Sequence, residues 1–258
     1  MANKNENKSF SEKIKDFFAN QENTTTGGKT QVFNVVILDR SGSMSSIRQA
    51  ALSGFNETLR GIQQAQKQFA ETQDHFVSLL TFCSCHMDNV YDKTPALEAR
   101  ELTPADYEPC CCTPLYDAMG LTITSMRDYV KNIPDATVVV TIITDGMENA
   151  SREYSAKAIN NLVKDLRKEG WTFTYMGTNQ DVIEEAAKMA INNTRSFSYN
   201  NDGVAYAMEA DRSQRMNFYG RMDRRKRSGG PRASKLEMAE MADLAYEEEE
   251  ERNKKKGK

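Results

Sequence analysis

This 258-residue chain has two histidines and no apolar run near the roughly 20 residues of a membrane span, and each shortage removes a class of function. A Ser-His-Asp hydrolase is hard to build from two histidines, and no Gly-x-Ser-x-Gly elbow is present. Neither a Gly-x-x-x-x-Gly-Lys phosphate loop nor a Gly-x-Gly-x-x-Gly fingerprint appears. The opening MANKNENKSF lacks the apolar segment of a secretory signal, so the expected location is cytoplasmic. The five cysteines are odd in number and three are consecutive, which fits a reducing compartment better than a disulfide framework. A net charge of -3 gives no excess of either sign to recruit nucleic acid or a membrane surface.

What is present is an α/β pattern organised around VFNVVILDRSGSMSS, residues 32–46. Six of the seven residues 32–38 are apolar and three are valine, as in a strand buried on both faces of a parallel sheet. The run ends at Asp39, and Arg40-Ser41-Gly42-Ser43 follows. An acid and two hydroxyls therefore alternate on a tight loop at the carboxyl end of a central strand, where open α/β sheets bind ligands.

A helix is expected over 46–70, with Leu52, Phe55, Leu59 and Ile62 as its apolar stripe. Residues 75–82 read as a second strand, 83–90 as a short edge strand and 91–109 as an irregular connection. Met119, Ile123, Met126 and Val130 mark the next helix, ended near Pro134. ATVVVTIIT, residues 136–144, is another buried strand, and it too ends in an acid, Asp145-Gly146. Ser155 opens a helix that Gly170 stops. Residues 171–176 form a strand, Thr178-Asn179-Gln180-Asp181 opens a helix to about Ala190, 196–199 form a short strand and 202–219 a last helix. Strands alternating with helices predict right-handed parallel crossovers and a doubly wound sheet with helices on both faces. Residues 1–30 form an arm and linker, with Phe10, Ile14, Phe17 and Phe18 on one helical face. The domain occupies 31–220. Residues 221–258 carry blocks of RRKR, SGGP and EEEEE and read as a charged, disordered tail, within which Leu236, Met238, Met241 and Leu244 allow a weak helix.

Three loops carry oxygen ligands: Asp39, Ser41 and Ser43 after the first strand, Thr113 before the second long helix, and Asp145 after the third long strand. In a parallel sheet these loops converge on one edge. Two carboxylates and three hydroxyls suit a six-coordinate hard cation, Mg2+ or Mn2+. The hydroxyls bring no charge, so an open position can take a carboxylate from another molecule. The pattern resembles the von Willebrand factor type A family, in its bacterial intracellular form. That family's metal-ion-dependent adhesion site combines an Asp-x-Ser-x-Ser loop with a distant Thr and a distant Asp. Here Asp39-Arg40-Ser41-Gly42-Ser43, Thr113 in Thr113-Pro114-Leu115, and Asp145 in Thr144-Asp145-Gly146 match. The resemblance covers about residues 32–219. It implies a Rossmann-like, mostly parallel six-stranded sheet of order 3-2-1-4-5-6 and a divalent-cation-dependent protein-binding module, not an enzyme. The partner would be a protein offering an Asp or Glu. Cys111 and Cys112 depart from the pattern, standing where bacterial relatives often carry two glycines.

Plainer readings exist for each piece. Asp39, Ser41 or Ser43 caps a helix, Thr113-Pro114 starts one, and Asp145-Gly146 makes a turn. Residues 148–153 read as a solvated loop at the rim. Cys83, Cys85, His86 and Cys110 to Cys112 suggest zinc, but their spacing matches no two-by-two Cys-x-x-Cys site, and free thiols are the favoured state. A metal-dependent phosphohydrolase would use Asp39 beside a second acid, and Ser41 stands at that place. A scaffold binding through its tails, independently of metal, is the remaining alternative.

Overall fold

The structure is a computed structural model that describes residues 28–145, 147–178, 182–197, 201–229 and 233–256. Its strands are β1 (Thr30–Asp39), β2 (Gln73–Phe82), β3 (Met87–Pro95), β4 (Ala136–Thr144), β5 (Thr172–Thr178) and β6 (Asn193–Phe197). They form one sheet in the order β3-β2-β1-β4-β5-β6, as expected. Only the β3 edge runs antiparallel, against β2. The helices are α1 (Arg48–Gln68), α2 (Leu115–Val130), α3 (Ala156–Lys168), α4 (Val182–Lys188), α5 (Asn201–Arg227) and α6 (Lys235–Lys256). A 3-10 turn, Gly42–Ile47, joins β1 to α1.

All ten residues of β1 are buried, which only a central strand with both faces covered allows. Its period of two divides the core. Phe33, Val35 and Ile37 pack with residues of α2, α3 and α4 such as Met119, Val163 and Ala186. Val36 and Leu38 pack with Phe55, Leu59 and Ile62 of α1 on the opposite face. Each such side chain contributes roughly 1.5–3 kcal/mol by leaving water. Asn34 interrupts the apolar run and is fully partnered. It donates to Phe76 O at 3.1 Å and accepts from the Tyr219 hydroxyl of α5 at 2.6 Å. That bond fixes α5 across the middle of the sheet.

Boundaries differ from the sequence expectation where turns intervene. The edge strand runs over Met87–Pro95 instead of 83–90, because Cys83 and His86 close a tight turn, with Cys83 N–H donating to His86 O at 2.8 Å. The sixth strand lies at Asn193–Phe197 instead of 196–199. The first helix begins only at Arg48, after the 3-10 turn. Ser155 and Gly170 bound α3 as expected: Ser155 Oγ accepts from Ala158 N–H, and Gly170 takes a positive φ of 85°. The N-terminal patch and Asn179-Gln180-Asp181 lie outside the described residues.

The expectation of a disordered tail over 221–258 is corrected. α5 continues to Arg227 and α6 runs from Lys235 to Lys256. Ala242 and Ala245 of α6 are buried with Phe218 and Met222 of α5 and Val139 of β4. The charge blocks face one another across the pair: Arg225 meets Glu237 at 3.0 Å and Arg221 meets Glu248 at 2.5 Å. The apolar stripe is narrow and built on alanine, so it hides within a charged composition. Leu236 and Leu244, the bulkier candidates, are exposed.

Candidate metal centre

The sheet register places the ends of β1 and β4 side by side, with Leu38 opposite Ile143. Asp39 and Thr144 therefore emerge together, and Asp145 follows. The Thr144 hydroxyl donates to Asp39 Oδ2 at 2.6 Å, and Ser41 N–H donates to Asp39 Oδ1 at 2.6 Å. The Asp39 carbonyl accepts from the buried Tyr107 hydroxyl. Ser41 Oγ lies 3.1 Å from Ser43 Oγ, and the Ser43 hydroxyl donates to Asp145 Oδ1 at 2.8 Å. Four of the five expected residues thus form one chain of polar contacts spanning two loops.

Thr113 joins through its backbone. Its N–H donates to Asn149 Oδ1 at 2.9 Å, and Asn149 N–H donates to Thr113 O at 3.1 Å. That pair ties Thr113 to the loop that follows Asp145. The loop before Thr113 is tied in turn to the β1 loop: Gly42 N–H donates to Cys111 O at 2.9 Å and Cys110 N–H donates to Arg40 O at 2.7 Å. A Cβ at Gly42 would stand 3.3 Å from that Cys111 oxygen, so the close approach favours glycine there.

Two of the plainer readings do not match this geometry. Ser41 occupies the position before the 3-10 turn but makes no side-chain cap bond, and Pro114, not Thr113, precedes α2.

Burial is graded across the centre. Asp39, Ser41 and Thr113 are buried, Asp145 is half-buried and Ser43 is exposed, so the centre opens to solvent on the Ser43–Asp145 side. Burial pushes the Asp39 carboxyl up to about 6, against the opposing hydrogen bonds from Thr144 and Ser41. Burial also raises the Asp145 carboxyl. Among the described residues no lysine or arginine pairs with either acid. Arg40, next in sequence, is turned to Asp88 at 2.7 Å. Two desolvated carboxylates without a counter-charge, surrounded by hydroxyls, are the donor set a hard divalent cation requires. The residues present therefore fit Mg2+ or Mn2+.

Several supporting residues were not anticipated. Glu148, read from sequence as part of a solvated loop, instead accepts from the N–H groups of Tyr116, Ala150 and Ser151 at 2.9, 2.8 and 2.6 Å. Asp117 accepts from the N–H groups of Arg152, Glu153 and Tyr154 at 2.7, 2.9 and 2.8 Å. These two carboxylates pin the loop carrying Asn149. The available signals were an acid on the first turn of α2 and an acid three residues beyond Asp145, neither specific alone. Asn149→Ala should weaken divalent binding roughly 10–100-fold, the usual cost of removing a group that orients a metal site. Calorimetric titration of the variant with Mg2+ measures this.

No family model matches the chain, and no curated relative does. Solved structures share the fold. A von Willebrand factor type A protein from Catenulispora acidiphila overlays with a TM-score of 0.50 at 12% identity, over 73% of this chain and 43% of that one. The pilus adhesin SpaC from Lactobacillus rhamnosus GG, in its open conformation, overlays with a TM-score of 0.52 at 14% identity, over 76% of this chain and 31% of that one. Proximal thread matrix protein 1 from the mussel byssus, with a zinc occupied MIDAS motif, gives 0.47 at 14% identity, over 73% and 46%. The chain spans less than half the length of each.

Proposed function

The fold is that of von Willebrand factor type A domains, and on it we propose a divalent-cation-dependent protein-binding module. Asp39, Ser41, Ser43, Thr113 and Asp145 would hold Mg2+ or Mn2+, and an Asp or Glu of the partner would complete the shell. The observation that carries this reading is the contact series Asp39, Ser41, Ser43, Asp145, which links a buried and a half-buried acid with no cationic side chain paired to either among the described residues. When bound, the ion supplies positive charge that two carboxylates and neutral hydroxyls leave incompletely screened.

The chain's own residues set the direction of approach. Ser43 and Asp145 form the open side, and the exposed Met147 beside them offers an apolar contact. A cleft of about 640 Å3, lined by residues including His86, Pro114, Asn149 and Arg152 but by none of the five oxygen donors, lies on the Asn149 side of the centre and would take partner residues farther from the carboxylate. Binding, not catalysis, is proposed, because Ser41 stands where a phosphohydrolase would place a second acid. A reducing, cytoplasmic setting accords with five free thiols.

The test is capture of partners from the source organism by the immobilised full chain, with Mg2+ and with EDTA. Mg2+-dependent capture that Asp39→Ala abolishes is expected. Capture indifferent to both treatments would remove the metal from the account.

A further inference from the structure

A second cluster, of different chemistry, lies beside the oxygen centre. The β2–β3 turn supplies Cys83 and His86, and the loop before α2 supplies Cys110 and Cys111. The Sγ atoms of Cys83, Cys110 and Cys111 all lie within 4.8 Å of one another. Cys83 Sγ is 3.5 Å from Cys110 Sγ, and His86 Nδ1 is 3.7 Å from Cys83 Sγ and 3.8 Å from Cys110 Sγ. We propose that this cluster is a structural Zn2+ site, separate from the oxygen centre, with Cys83, His86, Cys110 and Cys111 as ligands.

Three of the distances match one face of a tetrahedron. Zinc bonds of about 2.3 Å to sulfur and 2.0–2.1 Å to imidazole nitrogen imply edges of about 3.8 Å between sulfurs and about 3.6 Å between sulfur and nitrogen. Three of the separations, among Cys83, Cys110 and His86, fall within a few tenths of an ångström of these edges. The Cys111 thiol lies within 4.8 Å of both other sulfurs but is turned to Cys85, and it would swing from Cys85 toward His86 to make the fourth corner. Thiolate and imidazole ligands select zinc over Mg2+, which the oxygen centre suits. Zinc binding would release the three thiol protons.

The backbone supplies an independent argument. Cys111 has a φ of 66°, in the left-handed region that side chains with a Cβ avoid. A glycine would be at ease there, so the thiol is what the position gains from carrying a side chain. The two turns are already joined, with Ser84 N–H donating to Cys112 O at 2.9 Å and Cys112 N–H donating to Ser84 Oγ at 3.1 Å. Zinc would lock this junction and hold the Cys111 carbonyl that receives Gly42 N–H. It would thereby brace the loop that leads to Thr113.

The rival is oxidation, because Cys85 Sγ stands 2.7 Å from Cys111 Sγ. The experiment measures metal content of the full chain, purified under reduction and loaded with ZnCl2, by mass spectrometry after gel filtration. One zinc per chain is expected, retained by Asp39→Ala and Cys112→Ser and lost from His86→Ala and Cys110→Ser. His86 is exposed and Cys110 half-buried, so loss of zinc need not reflect unfolding, and circular dichroism checks this. Cobalt loading should give thiolate charge-transfer bands and the strong visible bands of a tetrahedral site, absent in His86→Ala. No zinc above trace in the wild type, zinc lost only with Asp39→Ala, or a Cys85–Cys111 disulfide in place of metal would each overturn the site. Failure of Mg2+-dependent capture would leave the zinc result unchanged, so the two readings fail separately.

Discussion

Asp39→Asn should make the metal-free domain more stable at neutral pH while abolishing its response to Mg2+. Asparagine fills the same space, keeps an oxygen for Ser41 N–H, and can exchange donor and acceptor roles with the Thr144 hydroxyl. What it removes is a desolvated charge. The Asp39 carboxyl is pushed up from 3.8 to about 6 by burial. A raised folded-state value means that its stability contribution is full below the unfolded value and is lost as pH rises through about 6. The difference corresponds to about 3 kcal/mol above pH 7. In EDTA at pH 8 the variant should therefore melt roughly 6–12 °C above wild type, and near pH 4 the two should converge. His75 runs the other way. Burial pushes its imidazole down to about 3, so its contribution is present above 6.5 and fades as pH falls. It is common to both proteins, and subtracting their melting curves cancels it. Added Mg2+ should raise the wild-type melting temperature by mass action and leave Asp39→Asn unmoved. Equal melting of the two apo proteins at pH 8 would show that Asp39 is not held against its charge.

The fold was legible because its central strands are extreme. Residues 32–38 and 136–144 are apolar without alternation, and each ends in an acid. That pattern marked the two loops, after β1 and β4, that the sheet register brings side by side, whereas the strand order was legible only through the resemblance. Thr113 was legible only through resemblance, since Thr-Pro is also an ordinary helix start. The supporting acids were not legible: Asp117 accepts from backbone N–H groups 35 to 37 residues away and Glu148 from one 32 residues away as well as two nearby, and no local pattern encodes the distant bonds. The thiols show a related limit. Cys83-Ser84-Cys85-His86 and Cys110-Cys111-Cys112 fit no familiar zinc spacing, because their convergence depends on a turn at 83–86 and a left-handed residue at 111. The C-terminal helix was legible only as a weak helix in a disordered tail, for a third reason. Alanines at helical spacing carry little hydropathy, and opposed charge blocks look solvated until their partners are placed.

That helix leads to the second large effect: a chain ending at Gly229 should lose stability, not merely an appendage. Removing α6 takes away the buried Ala242 and Ala245 and the partly buried Met238 and Met241, and uncovers Phe218 and Met222. At about 0.8 kcal/mol per buried methylene equivalent, this is roughly 4 kcal/mol. Ties to the edge of the sheet go as well: Arg195 pairs with Glu250, and its guanidinium lies 4.6 Å from the centre of the Tyr246 ring. The truncated chain should melt roughly 8–16 °C lower and expose dye-binding apolar surface. Unchanged melting would mean that α6 does not dock in solution. The consequence reaches the function. Loss of partner capture on truncation could not by itself assign binding to the tail, because the sheet carrying Asp39 and Asp145 would be weakened too. Reversing the exposed charges Glu247 and Glu251 separates the cases, since surface changes of this kind move stability within about 0.5 kcal/mol. If the partner docks at the oxygen rim, that charge-reversed protein should capture it as wild type does. Loss of capture in a protein that melts normally would assign the contact to α6.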